Sequence, residues 1–185
     1  MSEIDGRLGS FRGGEDRGEG TGELDDDPVG GRWLRRHMAA GVVALTTVID
    51  GGFRAATLNT CVVASLDPLL ILVSIELDSQ MDEWLDESGR FAISILPWRQ
   101  KFFADQFAGF TPLASTAFSG IDFFTADTGC PILSGCIGWA DCRVDSKILT
   151  GDHRLFLGNV VAAGAGPSEH ESPLIYYLSR YARTD

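Results

Sequence analysis

The chain has 185 residues, 44% of them hydrophobic, and a net charge of −11, a composition that suits one domain with a hydrophobic core. No basic stripe is present, which argues against a nucleic-acid partner. The longest apolar run, residues 69–75, is too short to cross a bilayer, and the polar N-terminus lacks the apolar segment of a secretion signal. We therefore expect a cytoplasmic protein with no membrane association.

Residues 1–31 carry nine of the 26 acidic residues and nine of the 22 glycines. Such a segment buries too little apolar surface to offset the entropy of ordering it. We predict a disordered, acidic, glycine-rich tail over residues 1–31 and one folded domain over residues 32–185. The favoured role of the tail is solvation, and the alternative is a docking arm for a partner.

In the first half of the domain, local sequence signals predict a helix, a strand hairpin, a further strand and a second helix. A short helix is expected over residues 33–40, followed by strands over 41–48 and 53–57 around the turn residues Asp50-Gly51-Gly52. The continuous apolar run 69–75 indicates a strand buried on both faces. A helix over 79–89 follows, with Ser79 as its N-cap and Gly89 as its stop.

The second half is predicted to be mostly β. A helix is expected over residues 98–108, and strands are expected over 91–96, 120–124, 137–149 and 155–163, with a final strand or turn in 173–181. Many short strands with few helices indicate a barrel, because a parallel sheet would need a helix at every crossover.

Residues 57–68 form a polar segment between two apolar strands, and we interpret them as a loop. Thr57, Asn59, Thr60 and Ser65 supply both hydrogen-bond donors and acceptors. The pyrimidine edge of an isoalloxazine needs such a mixture, whereas a phosphate needs clustered donors. On composition alone, a polar turn ended by Asp67-Pro68 is the favoured interpretation.

Other catalytic and metal signatures are absent from the sequence. The four cysteines form no C-x-x-C pair and the three histidines are far apart, so no metal site is predicted and reduced core thiols are expected. There is no G-x-G-x-x-G, P-loop, H-E-x-x-H or G-x-S-x-G motif.

A family resemblance rests on motifs in a fixed order. The segments Thr57-Leu58-Asn59-Thr60 and Ser65-Leu66-Asp67-Pro68-Leu69 resemble the signature of the flavin reductase-like, FMN-binding split-barrel family. Thr60 stands where that signature commonly has Ser, and Leu69 replaces a second Pro. The segment Gly151-Asp152-His153 is similar to the family's Gly-Asp-His motif. Residues 41–47, 87–96, 100–109, 130–142 and 173–181 also match, so the resemblance covers roughly residues 33–183.

The resemblance implies a split β-barrel of the FMN-binding type, mainly β with short helices, that forms a homodimer with flavin in a groove at the interface. Thr57, Leu58, Asn59 and Thr60 would line the isoalloxazine edge, and Ser65, Leu66 and Asp67 would lie along the ribityl chain or phosphate. Ser79, at a helix N-terminus, would favour the phosphate, whereas the Asp78 carboxylate would repel it.

The same resemblance makes His153 the candidate catalytic residue, because it would hold the nicotinamide amide or place positive charge near the flavin. The alternative is a turn residue bonded to backbone. Tyr177, Arg180 and Tyr181 are lesser candidates for nicotinamide or flavin contacts, and the alternative for them is packing at the dimer interface.

The function implied is an NADH- or NADPH-dependent flavin reductase. It would transfer hydride from nicotinamide to flavin N5 and supply reduced FMN or FAD, by diffusion, to a separate flavin-dependent monooxygenase. Two alternatives stay open: a flavin-binding redox protein that does not reduce free flavin, and a split barrel that binds haem or another ligand.

Overall fold

The computed structural model describes residues 30–108, 118 and 120–184. The predicted tail lies outside the described residues except for Gly30 and Gly31, where the first helix begins. The described part contains three short helices: α1 (Gly31–His37), α2 (Gln80–Ser88) and α3 (Lys101–Phe107). Its strands are β1 (Ala40–Gly41), β2 (Val43–Ile49), β3 (Gly52–Leu58), β4 (Cys61–Leu66), β5 (Leu69–Glu76), β6 (Arg90–Ile95), β7 (Phe123–Thr125), β8 (Pro131–Leu133), β9 (Gly138–Thr150), β10 (His153–Ala165), β11 (Ile175–Tyr177) and β12 (Arg180–Ala182). The predicted mainly β class is confirmed.

Seven strands form one antiparallel sheet in the order β3-β2-β6-β9-β10-β5-β4. Its two edge strands, β3 and β4, are consecutive in the chain and are joined only by Asn59 and Thr60. Two linking residues span roughly 11 Å at most, so the sheet must roll until its edges meet at this corner. No ladder joins β3 to β4 among the described strands, and the barrel is therefore split rather than closed.

The interior of the rolled sheet is a continuous apolar core. Leu45, Val73, Phe91 and Phe156 are fully buried in it. Helix α2 contributes Leu85 to the same core, and local signals define the ends of this helix. The Ser79 hydroxyl accepts a hydrogen bond from the Asp82 N–H at 3.2 Å, and Gly89 ends the helix at φ 61°, as the sequence predicts.

A second apolar cluster joins helix α3 and the C-terminal segment to the sheet. Val42, Leu96, Phe107 and Leu174 are buried there. The predicted final strand or turn is a hairpin of β11 and β12, which forms a three-stranded sheet with β1. This layer forms the wall of the candidate site.

Three sequence predictions about elements need correction. Residues 57–68 are not a loop, because the chain from 61 to 66 is strand β4. Strand β5 is buried on alternate residues rather than on both faces, because β4 at the sheet edge leaves one side thinly covered. The predicted helix 98–108 begins as a 3₁₀ turn over Trp98–Gln100 before α3.

The four cysteines are free thiols, and burial raises the pKa of Cys61 and of Cys142 to about 12. Within the described residues, no three His, Cys, Asp or Glu side chains come together as a metal site. No helix of the described part is long and apolar enough to span a membrane.

Candidate functional site

An open pocket of about 190 Å³ lies at the corner where β3 turns into β4. Its walls come from the end of β3, helix α1, the residue after α3 and the C-terminal hairpin. Its described lining residues are Arg35, Val42, Thr57, Leu58, Asn59, Ala108, Tyr176 and Tyr181. The structure therefore brings three of the predicted flavin-binding residues to one cavity. We call this cavity the corner pocket.

Asn59 is a neutral polar side chain of the corner pocket that remains available to a ligand. It is half-buried, and its carboxamide has no hydrogen-bond partner among the described residues. A carboxamide offers two N–H donors and one carbonyl acceptor. Asn59 is therefore able to pair with the alternating donors and acceptors along the edge of a heteroaromatic ring.

The hydroxyls of Thr57 and Thr60 have structural partners. Thr57 Oγ1 donates to the Ala104 carbonyl at 2.7 Å and so ties β3 to helix α3. Thr60 Oγ1 donates to the Ser74 carbonyl at 2.8 Å, and the Ser74 N–H donates to the Thr60 carbonyl at 3.0 Å. Both hydroxyls give their protons to backbone, so only their oxygen lone pairs remain for a ligand.

Ser65, Leu66 and Asp67 lie at the far end of β4 from the corner pocket. Ser65 pairs with Leu70, and Leu66 is 82% exposed. The six residues of β4 rise roughly 17 Å at about 3.4 Å per residue. The residues predicted to form one loop thus divide into two groups at opposite ends of an edge strand.

Two tyrosines of the C-terminal hairpin line the corner pocket. The rings of Tyr176 and Tyr181 pack edge to face with centroids 5.7 Å apart. Burial, followed by the charge of Asp105, raises the pKa of Tyr181 to about 12, so its hydroxyl is neutral at physiological pH. Successive strand residues face opposite sides, and the predicted Tyr177 and Arg180 are not among the lining residues.

His153 begins β10, directly after the turn that contains Gly151 at φ 59°. Its Nδ1 lies 2.7 Å from Asp152 Oδ1, and its side chain is 36% exposed. That hydrogen bond holds the pKa of Asp152 below its ordinary value. The other ring nitrogen, Nε2, has no partner within the described part of the chain.

The strand register places His153 at the same end of the sheet as Thr60. His153 is level with Glu76 on one side of β5, and Thr60 is level with Ser74 on the other. Two strand spacings and a two-residue offset separate their backbones by roughly 12 Å. His153 does not line the corner pocket, so the two features are neighbours rather than one cavity.

Ser79 is engaged as a helix cap. Its hydroxyl donates to the Glu76 carbonyl at 2.7 Å and accepts from the Asp82 N–H. The first turn of α2 is acidic, with Asp82 and Glu83, and Asp78 precedes it at φ 60°. Carboxylates already offset the helix dipole at this end, which makes it a poor environment for a phosphate.

Sequence reasoning missed a charged cluster beneath His153. Arg154 Nη1 lies 2.7 Å from Asp86 Oδ1, and its Nε lies 3.3 Å from Oδ1 of the buried Asp82. Lys147 Nζ also contacts Asp86 Oδ1 at 2.8 Å, and this hydrogen bond lowers the pKa of Asp86. The cluster fastens the β9–β10 hairpin, which carries His153, to helix α2.

Sequence reasoning also missed Arg35, Val42, Ala108 and Tyr176 as residues of the corner pocket. They come from three separate parts of the chain, and α1 reaches the hairpin through a hydrogen bond from the Leu178 N–H to the Arg36 carbonyl at 2.8 Å. No local pattern encodes that contact.

Comparison with known proteins places these features in a family. The model of the flavin reductase like domain matches residues 34–185. The NADH-dependent flavin reductase StyB of Pseudomonas fluorescens is 32% identical over 149 residues, which cover 78% of this chain and 82% of that protein. The reductase subunit HsaB of a flavin-dependent monooxygenase from Mycobacterium tuberculosis is 29% identical over 155 residues, covering 84% and 81%.

The fold has similar relatives among solved structures. The NADH:FAD oxidoreductase SgcE6 of Streptomyces globisporus C-1027 superposes with a TM-score of 0.79 at 26% identity, covering 87% of this chain and 95% of that one. The same oxidoreductase is also known in complex with NAD and FAD fragments. The residues that match the family model include the corner pocket and the His153 hairpin.

Proposed function

The chain belongs to the flavin reductase-like domain family, and on that premise we propose that it is an NADH-dependent flavin reductase. It oxidises NADH and reduces FMN or FAD, and the reduced flavin diffuses to the oxygenase component of a two-component monooxygenase. The names of the relatives, which include NADH-dependent reductases and a monooxygenase reductase subunit, favour this function over a barrel that merely holds flavin or haem.

The observation that carries the proposal is the composition of the corner pocket. Leu58 offers apolar surface, Tyr176 and Tyr181 offer aromatic surface, and Asn59 offers a carboxamide with no partner among the described residues. Ligand sites for flat heteroaromatics combine largely apolar walls with a few oriented polar groups. The residues present therefore fit the ring system of a flavin.

The chemistry that bound flavin supplies is acceptance of a hydride from nicotinamide C4, with the pair of electrons passing to the ring. The chain's contribution is to bind and orient. Asn59 would fix the polar edge of the ring through its N–H and C=O groups. Leu58 would exclude water from the ring face, which strengthens that hydrogen bonding.

His153 is proposed to act on the nicotinamide side. The Asp152 carboxylate hydrogen-bonds Nδ1, which leaves Nε2 as the ring nitrogen available to a ligand. A protonated imidazole would donate from Nε2 to the nicotinamide carbonyl or stabilise negative charge near the flavin. The anchor of Arg154 to helix α2 keeps the hairpin that carries this histidine in place.

We propose that the working site is completed by a second copy of the chain. The described volume of about 190 Å³ is below the 300–1,000 Å³ typical of small-molecule sites. The adjoining edge strand β4 exposes Val62 by 56%, Val63 by 59% and Leu66 by 82%. An unpaired apolar edge is normally covered in a soluble protein, and a homodimer would cover it.

The dimer proposal is tested by sedimentation of the Val63→Lys variant against a Phe124→Lys control, which changes an exposed apolar residue of β7. We expect the β4 variant to become monomeric and to lose reductase activity, and the β7 control to remain dimeric. A dimeric and active Val63→Lys variant would rule out β4 as the interface.

The functional proposal is tested by following aerobic NADH consumption with and without FMN, FAD and riboflavin, and by repeating it with NADPH. We expect turnover only when flavin is added, with NADH the better reductant. A protein that purifies with bound flavin but consumes no NADH when flavin is added would instead be a flavin-binding protein.

A further inference from the structure

Arg35 is the one charged side chain among the described residues that line the corner pocket. The other described lining residues are apolar, amide, hydroxyl or phenol groups, and Tyr181 keeps its proton because burial raises its pKa to about 12. A ligand that enters the pocket therefore meets a single fixed positive charge at its wall.

The Arg35 guanidinium has no carboxylate partner in the described part of the chain. This distinguishes it from the arginines that have structural roles. Arg99 pairs with Glu171 at 2.8 Å, Arg154 pairs with Asp86 at 2.7 Å, and Arg90 donates to the Thr128 carbonyl at 2.9 Å. In a chain with a net charge of −11, a guanidinium left without an acid beside a pocket is available to an external anion.

Charged groups of both signs lie near the C-terminal hairpin. The Lys101 ammonium lies 5.7 Å from the Tyr181 ring, and the Arg183 guanidinium lies 5.6 Å from the Trp98 ring. One carboxylate, Asp105, also acts on Tyr181. Of these three charged groups, Lys101 and Asp105 are the ones that interact with Tyr181, a lining residue of the pocket.

Helix α1 is held where Arg35 can serve the pocket. The Leu178 N–H in the β11–β12 turn donates to the Arg36 carbonyl at 2.8 Å. This bond joins the helix to the same hairpin that supplies Tyr176 and Tyr181. Arg35 is thus positioned by backbone contacts and not by an ion pair, which leaves its five N–H donors for a ligand.

We propose that Arg35 binds the phosphate of the nucleotide that occupies the corner pocket, an assignment that rests on the proposed reductase function. A guanidinium matches phosphate oxygens through two parallel hydrogen bonds. Both substrates carry that chemistry: the flavin nucleotide has a phosphate or pyrophosphate, and NADH has a pyrophosphate. Riboflavin has the same ring system as FMN and no phosphate, and so separates the two contributions.

The test measures equilibrium binding of riboflavin, FMN, FAD and NADH by fluorescence to the wild-type chain and to the Arg35→Gln variant. Arg36→Gln is the matched control, because it removes the same charge from the same helix at a residue that does not line the pocket. Loss of a charge-assisted hydrogen bond predicts a weakening of roughly tenfold or more. Thermal melts of both variants check that the fold is intact.

Comparison of the four ligands identifies which phosphate Arg35 binds. Weaker binding of FMN and FAD with unchanged riboflavin binding supports the proposal and identifies the flavin phosphate. Weaker NADH binding with unchanged flavin binding supports it and identifies the dinucleotide pyrophosphate. Unchanged binding of every ligand, an equal loss for riboflavin and FMN, or the same loss in Arg36→Gln overturns it.

Failure of the reductase function would have a different signature. The wild-type chain would then show no flavin-dependent NADH oxidation. That is a turnover measurement, and the binding measurements do not depend on it. The comparison of FMN with riboflavin therefore remains interpretable whichever way that assay falls.

Discussion

Substitutions of Asn59 and Thr57 are expected to have different effects, although the two residues lie two positions apart in the same pocket. The Asn59 carboxamide has no partner among the described residues, so the Asn59→Ala variant removes no hydrogen bond of the folded chain. The Thr57 hydroxyl donates to the Ala104 carbonyl at 2.7 Å, so the near-isosteric Thr57→Val variant removes one. Asn59→Ala should therefore affect flavin binding, and Thr57→Val should affect stability.

The magnitudes follow from the partners. A neutral hydrogen bond contributes about 1 kcal/mol, so losing one or two contacts from Asn59 to a flavin lowers affinity by roughly 5- to 30-fold. The free energy of unfolding of Asn59→Ala should change by less than about 0.5 kcal/mol. Thr57→Val should cost about 0.5–1 kcal/mol, because the Ala104 carbonyl keeps the Ala108 N–H at 3.0 Å.

Two assays decide between these expectations. Urea unfolding gives the free-energy changes, and the Michaelis constant for FMN, with binding of FMN followed by fluorescence, gives the affinity changes. We expect Asn59→Ala to raise the Michaelis constant without loss of stability, and Thr57→Val to lower stability with a small effect on flavin. If Asn59→Ala is destabilised and binds FMN normally, the assignment of the pocket is refuted.

Three further predictions concern the core, the histidine and pH. A Cβ on Gly158 would lie 2.5 Å from the Phe91 ring, so Gly158→Ala should lower the free energy of unfolding by about 1–3 kcal/mol. Gly138→Ala is the control, because its Cβ would lie 3.4 Å from the nearest atom, an ordinary contact distance. Equal urea midpoints for the two variants would contradict the packing around Gly158. His153→Gln should lower kcat/KM for NADH by roughly tenfold or more with little change in FMN binding, and unchanged steady-state kinetics would remove the histidine from the mechanism. The hydrogen bond from His153 holds the pKa of Asp152 below its ordinary value of 3.8. The ionised carboxylate therefore stabilises the fold above pH 3.8, and this stabilisation is lost as the pH falls through the lowered pKa. The melting temperatures of Asp152→Asn and wild type should differ near neutral pH and converge in acid.

Local signals made several elements predictable from sequence. The Ser79 cap and the Gly89 stop define α2, and the turn at Asp50 and Gly51, which have φ 50° and 73°, joins β2 to β3. Each signal acts within a few residues because it satisfies backbone groups or accommodates a positive φ. Such features do not depend on how the sheet rolls.

The edge strand β4 was not predictable in the same way. Val62 and Val63 are consecutive and both exposed, so β4 lacks the alternation that identifies a half-buried strand. The polar residues Asn59, before the strand, and Ser65, within it, favour a loop on composition alone. What makes it a strand is pairing with β5, and the proposed second copy would cover its exposed apolar side chains.

The candidate site was predictable from sequence only where its residues are contiguous in the chain. Thr57 to Asn59 are contiguous and a motif identifies them, whereas Arg35 and Tyr176 are far apart in the chain and meet only through the packing of α1 on the C-terminal hairpin. Some hydroxyls to which the resemblance assigns a ligand-binding role have structural hydrogen bonds instead. The hydroxyls of Thr57, Thr60 and Ser79 are engaged by backbone, which sequence could not reveal.

The central claim is that the chain transfers hydride from NADH to free flavin. Its most direct test is anaerobic mixing of NADH with excess FMN or FAD and a catalytic amount of the protein, following the visible absorbance of the flavin. We predict rapid bleaching with one flavin reduced for each NADH oxidised, and a rate proportional to protein concentration. Bleaching no faster than in the absence of protein would contradict the account.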